Sequence, residues 1–315
     1  MNSQNEKQRF LTLCWRMAKR RTARQKRKTL LQLTAMLAAL GYPVHCDQRQ
    51  SLPPGRMLIA GDIRTARWVI AADFNLRGGW WIRGRQQLMN QTENRRRQGI
   101  NMLAGMLISM SLALFGALAG NAAFHGASWP AALLSAALFL AALTARSLPT
   151  AGNAGKNAAL FALLECARLY RNENAAFCLL EENGAETGLA QLAERGPQPC
   201  PIYLNQLGRE AGGLLLFKGQ AADAMGKIAG ESGWIVRTAQ AEEDSLIRRW
   251  QHGVLISTAD PATLSCALPG GKGDNEVDCE QICQAVRLIG CLIRSPLPMN
   301  HQKKEEENDA GNFTD

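Results

Sequence analysis

The sequence predicts an α/β fold with a mixed, mainly parallel sheet that is interrupted by a membrane-inserted helical hairpin. Two observations favour this arrangement. Beyond residue 150, short apolar segments typical of buried strands alternate with longer segments of helical periodicity, which is the pattern of layered α/β folds. Between residues 98 and 145 the 315-residue chain has no Lys, Arg, Asp or Glu. A membrane-spanning helix needs about 20 apolar residues, so this stretch is long enough for two spans.

Charge is divided unevenly along the chain. The 36 basic and 27 acidic residues give a net charge of +9, but residues 1–97 hold 20 of the basic and only 5 of the acidic residues. Residues 146–315 hold 16 and 22 and are therefore acidic. A basic segment, a charge-free stretch and an acidic half indicate a membrane partner rather than nucleic acid, since no aromatic residues interleave with the basic run at residues 19–28.

The N-terminal region, residues 4–40, is predicted to form one long helix, because its apolar residues have helical spacing and Gly41 is a typical helix terminator. Its middle is a basic run that begins with Lys19 and ends with Lys28. Anionic lipid headgroups attract such residues by about 1 kcal/mol each, so lipid contact is expected here, with a solvated helix face as the alternative. Two short strands are predicted next, at residues 57–60 and 68–72.

The charge-free stretch divides into two predicted spans, residues 100–120 and 128–145, and the second is short for a bilayer. The alternative is a helical hairpin buried in a soluble core. Basic residues flank the spans, whereas the loop between them has none. These flanking residues are Arg83, Arg85, Arg95, Arg96, Arg97 and Arg146. Both flanks, both termini and the α/β domain are therefore predicted on the cytoplasmic side of the bacterial cytoplasmic membrane, and nine scattered cysteines agree with a reducing compartment.

Four regions follow from these patterns. Residues 1–97 contain the basic helix and the first strands, residues 98–147 the transmembrane hairpin, residues 148–298 the remainder of the α/β domain, and residues 299–315 a disordered polar tail. In the third region, helices are predicted at residues 154–170, 188–194, 221–231, 242–251 and 277–294. Strands are predicted at residues 175–180, 202–205, 213–217, 234–237 and 253–258.

Several of these segments resemble a known family. The segment WVIAADFN at residues 68–75, GKNAALFALLE at 155–165, FCLL at 177–180 and YLNQLG at 203–208 follow one another as do the metal motifs of the clan MH zinc aminopeptidases, the bacterial leucyl aminopeptidase-like family M-twenty-eight. The resemblance rests on hydrophobic pattern more than on identities. It implies a three-layer sandwich of zinc-aminopeptidase type, with the hairpin inserted between the first two metal motifs.

The family's chemistry requires two zinc ions held by histidines and carboxylates, with a free Glu as general base. The resemblance aligns these positions mostly with residues that cannot replace the ligands. The aligned positions are Asp73 and Asn75 for His-x-Asp, Gly155 for the bridging Asp, Asn183 or Glu186 for the Glu-Glu pair, Asn205 for the next Asp, and Gly270 for the last His. None of the chain's four histidines stands at a ligand position.

The function expected from this pattern is that of a membrane-anchored, peptidase-like pseudoenzyme that binds or scaffolds, with no catalytic residue, no metal and no cofactor. Its expected partners are the lipid bilayer and either a membrane protein or a peptide ligand, not nucleic acid. Two alternatives stay open. One is an active zinc metallohydrolase whose site is rebuilt from Asp73, Glu182, Glu186 and Asp244, and the other is an interaction subunit of a membrane complex.

Overall fold

The computed structural model describes residues 23–48, 56–74, 85–124, 154–180, 200–208, 212–218, 234–239, 252–267 and 277–294, with single residues at 8, 12, 137, 245 and 247. The helices in this part are α1 (Ala23–Ala39), α2 (Gln91–Phe124), α3 (Ala154–Leu169) and α4 (Cys279–Arg294). The strands before α3 are β1 (Val44–Gln48), β2 (Arg56–Ala60), β3 (Trp68–Asp73) and β4 (Arg85–Gln87). Those after it are β5 (Ala175–Leu180), β6 (Cys200–Leu204), β7 (Gly212–Lys218), β8 (Ile235–Thr238), β9 (Gly253–Ala259) and β10 (Ser265–Ala267).

Eight of the strands form one mixed sheet in the order β1-β2-β5-β3-β6-β9-β7-β8. Its centre, β5-β3-β6-β9, is parallel throughout, and β7 pairs with β8 in parallel as well. The pairs β1 with β2, β2 with β5 and β7 with β9 are antiparallel. The predicted α/β class with a mixed, mainly parallel sheet is therefore confirmed. Strands β4 and β10 form a separate two-stranded ribbon.

The central strands form because they are apolar along their whole length. Every residue of β3, β5 and β9 is buried, as expected for parallel strands covered on both faces. One face of the sheet packs against α1, α3 and α4 in a single core cluster. Helix α3 has 13 buried residues of 16, which places it centrally in that layer.

The opposite face of the sheet buries a second core, formed by residues such as Val69, Tyr203 and Leu255. The helices predicted at residues 188–194, 221–231 and 242–251 lie outside the described residues, apart from Ser245 and Ile247, which are both buried. The predicted tail at residues 299–315 also lies outside them.

Helix α1 ends where the sequence predicts. Gly41 adopts φ +85°, and the amide of Tyr42 donates to the carbonyl of Leu37 at 3.3 Å, so the last turn closes in a glycine-terminated cap. Three strands were not predicted, namely β1, β4 and β10. They are short and contain polar residues, so their strand conformation depends on pairing with distant segments rather than on local pattern.

Helix α2 contains the whole first predicted span and begins well before it. Asn90 caps its start, since the Glu93 amide donates to Asn90 Oδ1 at 2.9 Å. In the part of the chain that is described, no helix combines the length and apolar character required to cross a bilayer. The predicted transmembrane hairpin therefore gains no support from the structure, and its second span lies outside the described residues except for position 137.

Tyr42 joins the segment after α1 to the core. Its hydroxyl donates to the Ala167 carbonyl in α3 at 2.9 Å, and its ring meets Phe177 edge-on with centroids 5.4 Å apart. Burial raises the pKa of Tyr42 from 10.0 to about 12. The folded state therefore holds the neutral phenol more strongly than the unfolded chain does.

The stability that Tyr42 adds should be fully present below pH 10 and be lost as the pH rises from about 10 to 12. Thermal unfolding measured across this range should show a steeper fall in Tm for the wild type than for Tyr42→Phe, which cannot ionise. Parallel slopes for the two proteins would show that Tyr42 does not contribute in this way.

Candidate functional site

The candidate site lies at the carboxyl ends of three neighbouring parallel strands. Ala72 of β3 is in register with Leu204 of β6, and Leu204 is in register with Ile256 of β9. The next residues along each strand, Asp73, Asn205 and Ser257, are therefore brought to one edge of the sheet. In open α/β sheets this edge is where ligands bind.

Lys156, in the first turn of α3, supplies the central group of the site. Its Nζ donates to Asp73 Oδ2 at 2.7 Å and to Asn205 Oδ1 at 2.9 Å, and lies 3.5 Å from the Tyr203 hydroxyl. The Tyr203 hydroxyl in turn donates to Asp73 Oδ2 at 2.9 Å. These four residues, Lys156, Asp73, Asn205 and Tyr203, are called the Lys156 cluster below.

The Lys156 cluster is closed to solvent. Asp73 and Lys156 are only 9% and 8% exposed, and Asn205 and Tyr203 are less exposed still. A buried ion pair is favourable only with close geometry and additional hydrogen bonds. The contact of 2.7 Å gives the close geometry, and Asn205 and Tyr203 add hydrogen bonds to Lys156 Nζ and Asp73 Oδ2. A lysine near a helix N-terminus also opposes the helix dipole, so the Asp73 carboxylate offsets an unfavourable position as well as a buried charge.

Asn205 is held in place from its other side. Its Nδ2 donates to Ser257 Oγ at 3.4 Å and to Cys266 Sγ at 3.5 Å. Cys266 belongs to β10 and lies opposite Gln86 of β4, whose Oε1 is 3.6 Å from the sulfur. These contacts orient the amide so that its oxygen faces the Lys156 ammonium, and they connect the Lys156 cluster to the β4-β10 ribbon.

One polar atom of the Lys156 cluster has no partner among the residues that the structure describes. Asp73 Oδ1 is buried and accepts no hydrogen bond from them, while Oδ2 accepts from both Lys156 and Tyr203. The ion pair with Lys156 and the hydrogen bond from Tyr203 therefore both involve Oδ2 of Asp73.

The structure brings together three of the positions predicted from the sequence. Asp73 and Asn205 lie in the Lys156 cluster, and Gly155 lies beside it, with its carbonyl accepting from the Leu207 amide at 3.1 Å. The other predicted site positions lie outside the described residues. They are Asn75, Asn183, Glu186 and Gly270, together with Glu182 and Asp244 of the alternative metal site.

The arginines predicted to flank the membrane segment serve different roles. Arg95 and Arg96 are exposed on α2, whereas Arg97 pairs with Glu93 at 2.8 Å and donates to the carbonyl of Arg85 at 3.0 Å. Arg85 donates to Ser265 Oγ at 2.7 Å, so it belongs to the β4-β10 ribbon. Arg83 and Arg146 lie outside the described residues.

The sequence did not identify Lys156 or Tyr203 as site residues. A usable signal was present, because Lys156 is a lysine in the first turn of a helix that is otherwise almost wholly apolar and buried. Long cationic side chains are almost never fully buried unless they are paired. A buried lysine at this position therefore predicts an acidic partner at the end of a strand.

The described side chains at this edge do not fit a zinc ion. Zinc in proteins is bound by thiolates, imidazoles and carboxylates. Here one carboxylate, one amide, one phenol hydroxyl and one ammonium group meet, and an ammonium group has no lone pair to donate. Among the residues with described positions, no group of three His, Cys, Asp or Glu side chains is placed to hold a metal.

Comparisons by sequence find no matching family model and no similar curated protein. Comparisons by structure do find neighbours. A zinc-dependent exopeptidase from Parabacteroides distasonis superposes with a TM-score of 0.51 at 11% identity, over 94% of this chain and 98% of the other. Glutaminyl cyclase from Tannerella forsythia gives 0.50 at 11% identity, over 94% and 99% of the two chains. LapA from Legionella pneumophila gives 0.51 at 10% identity, over 92% and 71%. The chain therefore has the fold shared by zinc-dependent exopeptidases and glutaminyl cyclases.

Proposed function

We propose that this protein is a non-catalytic binding protein built on a zinc-exopeptidase fold and that it acts at a membrane. The observation that carries the first part is the bonding of the Lys156 ammonium to both Asp73 and Asn205. By the resemblance described above, these two positions correspond to zinc ligands. Hydrolysis of the kind named for the neighbouring exopeptidase depends on zinc, and Lys156 supplies a positive charge that opposes zinc binding there.

The repulsion between a zinc ion and the Lys156 ammonium group follows from Coulomb's law. A dication about 4 Å from a unit positive charge is repelled by about 8 kcal/mol at an effective dielectric constant of 20. Binding of zinc beside Asp73 would therefore first require the loss of the Lys156 proton or the displacement of its side chain. Either change would break the ion pair of 2.7 Å.

The test is the metal content and the activity of the purified full-length chain. We expect no stoichiometric zinc after dialysis against zinc and no hydrolysis of aminoacyl p-nitroanilides or cyclisation of N-terminal glutamine above the buffer rate. Stoichiometric zinc together with turnover would overturn the proposal. Asp73→Ala and Glu186→Ala would then decide whether the alternative rebuilt site is responsible, since both should abolish that turnover.

The membrane part of the proposal is carried by an apolar face of α2. The residues of this face recur at helical spacing and are between 45% and 66% exposed. They are Ile100, Leu103, Leu107, Met110 and Leu114. A continuous exposed apolar face of this kind marks an interaction surface. The exposed Arg95 and Arg96 precede it on the same helix, and this order of charge followed by apolar surface complements a bilayer with anionic headgroups.

Other exposed basic residues support the same partner. Arg24, Arg27 and Lys28 are exposed at the start of α1, and they belong to the basic run expected to contact lipid. We propose the inner face of the bacterial cytoplasmic membrane as the surface, because basic residues near a membrane favour that side. A membrane protein partner and a peptide ligand stay predictions from the sequence.

Flotation with lipid vesicles tests the membrane proposal. The wild type should float with phosphatidylcholine vesicles that contain phosphatidylglycerol, and less with phosphatidylcholine alone. The double variant Leu103→Glu/Leu107→Glu should lose most of this binding. Leu169→Glu, which changes an exposed leucine at the end of α3, is the matched control and should bind like the wild type. Equal flotation of all three proteins, or of none, would contradict the proposal.

A further inference from the structure

We infer that the ammonium group of Lys156 takes the place of a metal ion and holds α3 to the carboxyl ends of β3 and β6. Removing this group by substitution should leave a site that is selective for small primary ammonium ions. This inference deepens the proposed function and rests on it in part, since it explains how the fold can dispense with metal. It is carried by the contacts of the Lys156 cluster.

The N–H donors of Lys156 match the oxygen acceptors around it. A protonated lysine has three N–H donors. Three oxygen atoms of described residues lie within hydrogen-bonding distance of Lys156 Nζ, namely Asp73 Oδ2 at 2.7 Å, Asn205 Oδ1 at 2.9 Å and the Tyr203 hydroxyl at 3.5 Å. The ammonium group thus joins α3 to the ends of β3 and β6, as a bound ion with oxygen ligands would.

The carboxylate of Asp73 needs a positive charge beside it. Asp73 is a buried carboxylate, and Lys156 is the cation with which it pairs. Without that ammonium group, Asp73 would keep one hydrogen bond within the described part of the chain, from Tyr203, and Oδ1 would still have no donor there. A buried charge in this condition is strongly unfavourable, so the vacated space should bind a replacement cation.

The vacated space should be selective for primary ammonium ions. The acceptors are positioned for N–H donors, and the space was filled by an alkyl chain that ends in an ammonium group. Lys156→Ala removes three methylene groups and the nitrogen, so ethylammonium and propylammonium ions have the right shape and charge. Tetramethylammonium carries the same charge but has no N–H group and is wider, so it should not fit.

The experiment is the thermal unfolding of the full-length Lys156→Ala variant with these salts at equal ionic strength. We expect the variant to have a lower Tm than the wild type. Propylammonium or ethylammonium should then recover more than half of the lost Tm in a saturable manner, whereas tetramethylammonium and sodium should not. If Lys156→Ala is unfolded in plain buffer, the same two ions should restore its folded circular-dichroism spectrum.

Two further variants serve as controls. Leu163→Ala creates space in the same helix about two turns beyond Lys156, and its Tm should not respond to alkylammonium ions. Lys156→Ala/Asp73→Asn removes the buried charge, so the response should disappear. The inference is overturned if neither alkylammonium ion raises the Tm of Lys156→Ala, or if tetramethylammonium raises it equally. It is also overturned if EDTA lowers the Tm of the wild type. Zinc-dependent turnover by the wild type would instead overturn the proposed function, so the two failures are distinguishable.

Discussion

Replacing Asp73 by alanine is expected to lower the free energy of unfolding by about 3–5 kcal/mol, because it leaves the Lys156 ammonium buried without a carboxylate. Counting side-chain atoms alone, Lys156 is 11% and Asp73 12% exposed, and Lys156 Nζ lies 2.7 Å from Asp73 Oδ2. Asn205 and Tyr203 would still offer oxygen atoms to the ammonium group, but neither carries a negative charge. Urea unfolding followed by circular dichroism measures the loss.

The double variant Asp73→Leu/Lys156→Met separates the ion pair from the packing around it. Removing both charges should recover most of the stability, since an apolar pair of similar volume often replaces a buried ion pair at little cost. Glu173→Ala is the matched control, because it breaks an ion pair with Arg294 at 2.9 Å whose side chains are 33% and 63% exposed. Such a pair contributes about 0–1 kcal/mol. An Asp73→Ala loss no larger than that of Glu173→Ala would show that the Lys156 cluster does not stabilise the fold.

Phe177→Ala is expected to cost about 3–5 kcal/mol, because it opens a cavity at the centre of the main core. Phe177 is 1% exposed and lies in β5, where it is in register with Ala60 of β2 and Ile70 of β3. Its ring also contacts the edge of Tyr42. The truncation therefore removes contacts with both neighbouring strands and with the segment that follows α1.

The same urea measurement applied to Leu31→Ala is the control for this second prediction. Leu31 is an apolar residue of α1 that is 62% exposed, so its truncation should change stability by no more than about 0.5 kcal/mol. A Phe177→Ala loss as small as that of Leu31→Ala would mean that the β2-β5-β3 region can repack around the missing ring.

The central strands could be predicted because their local pattern is sufficient to define them. Residues 175–180 are apolar throughout and form β5 with the predicted bounds. The segment that forms β1, VHCDQ, has no comparable signal, and it becomes a strand by pairing with β2. Helix α2 differs, since its apolar residues predicted a membrane span, whereas no helix among the described residues has the length and apolar character of one.

Part of the candidate site could be named from the sequence. Asp73, Gly155 and Asn205 were identified because the resemblance to the zinc aminopeptidases aligns them with metal-ligand positions of that family. Lys156 was not, because its role depends on side chains 83 and 49 positions away in the sequence. A lysine is usually solvated, and only the three-dimensional convergence of Asp73 and Asn205 distinguishes this one.

The strand order also has a consequence for synthesis of the chain. Strands β2 and β3 are consecutive in the sequence, yet β5 lies between them and pairs with both. The first part of the chain therefore leaves the ribosome with two apolar strand edges that stay unpaired until residues 175–180 have been made. Such edges are prone to wrong pairing, and the time for which they are exposed depends on the length of the segment between β3 and β5. Formation of the Asp73–Lys156 ion pair also has to wait until residue 156 has been made, and only then can the carboxylate at the end of β3 be neutralised.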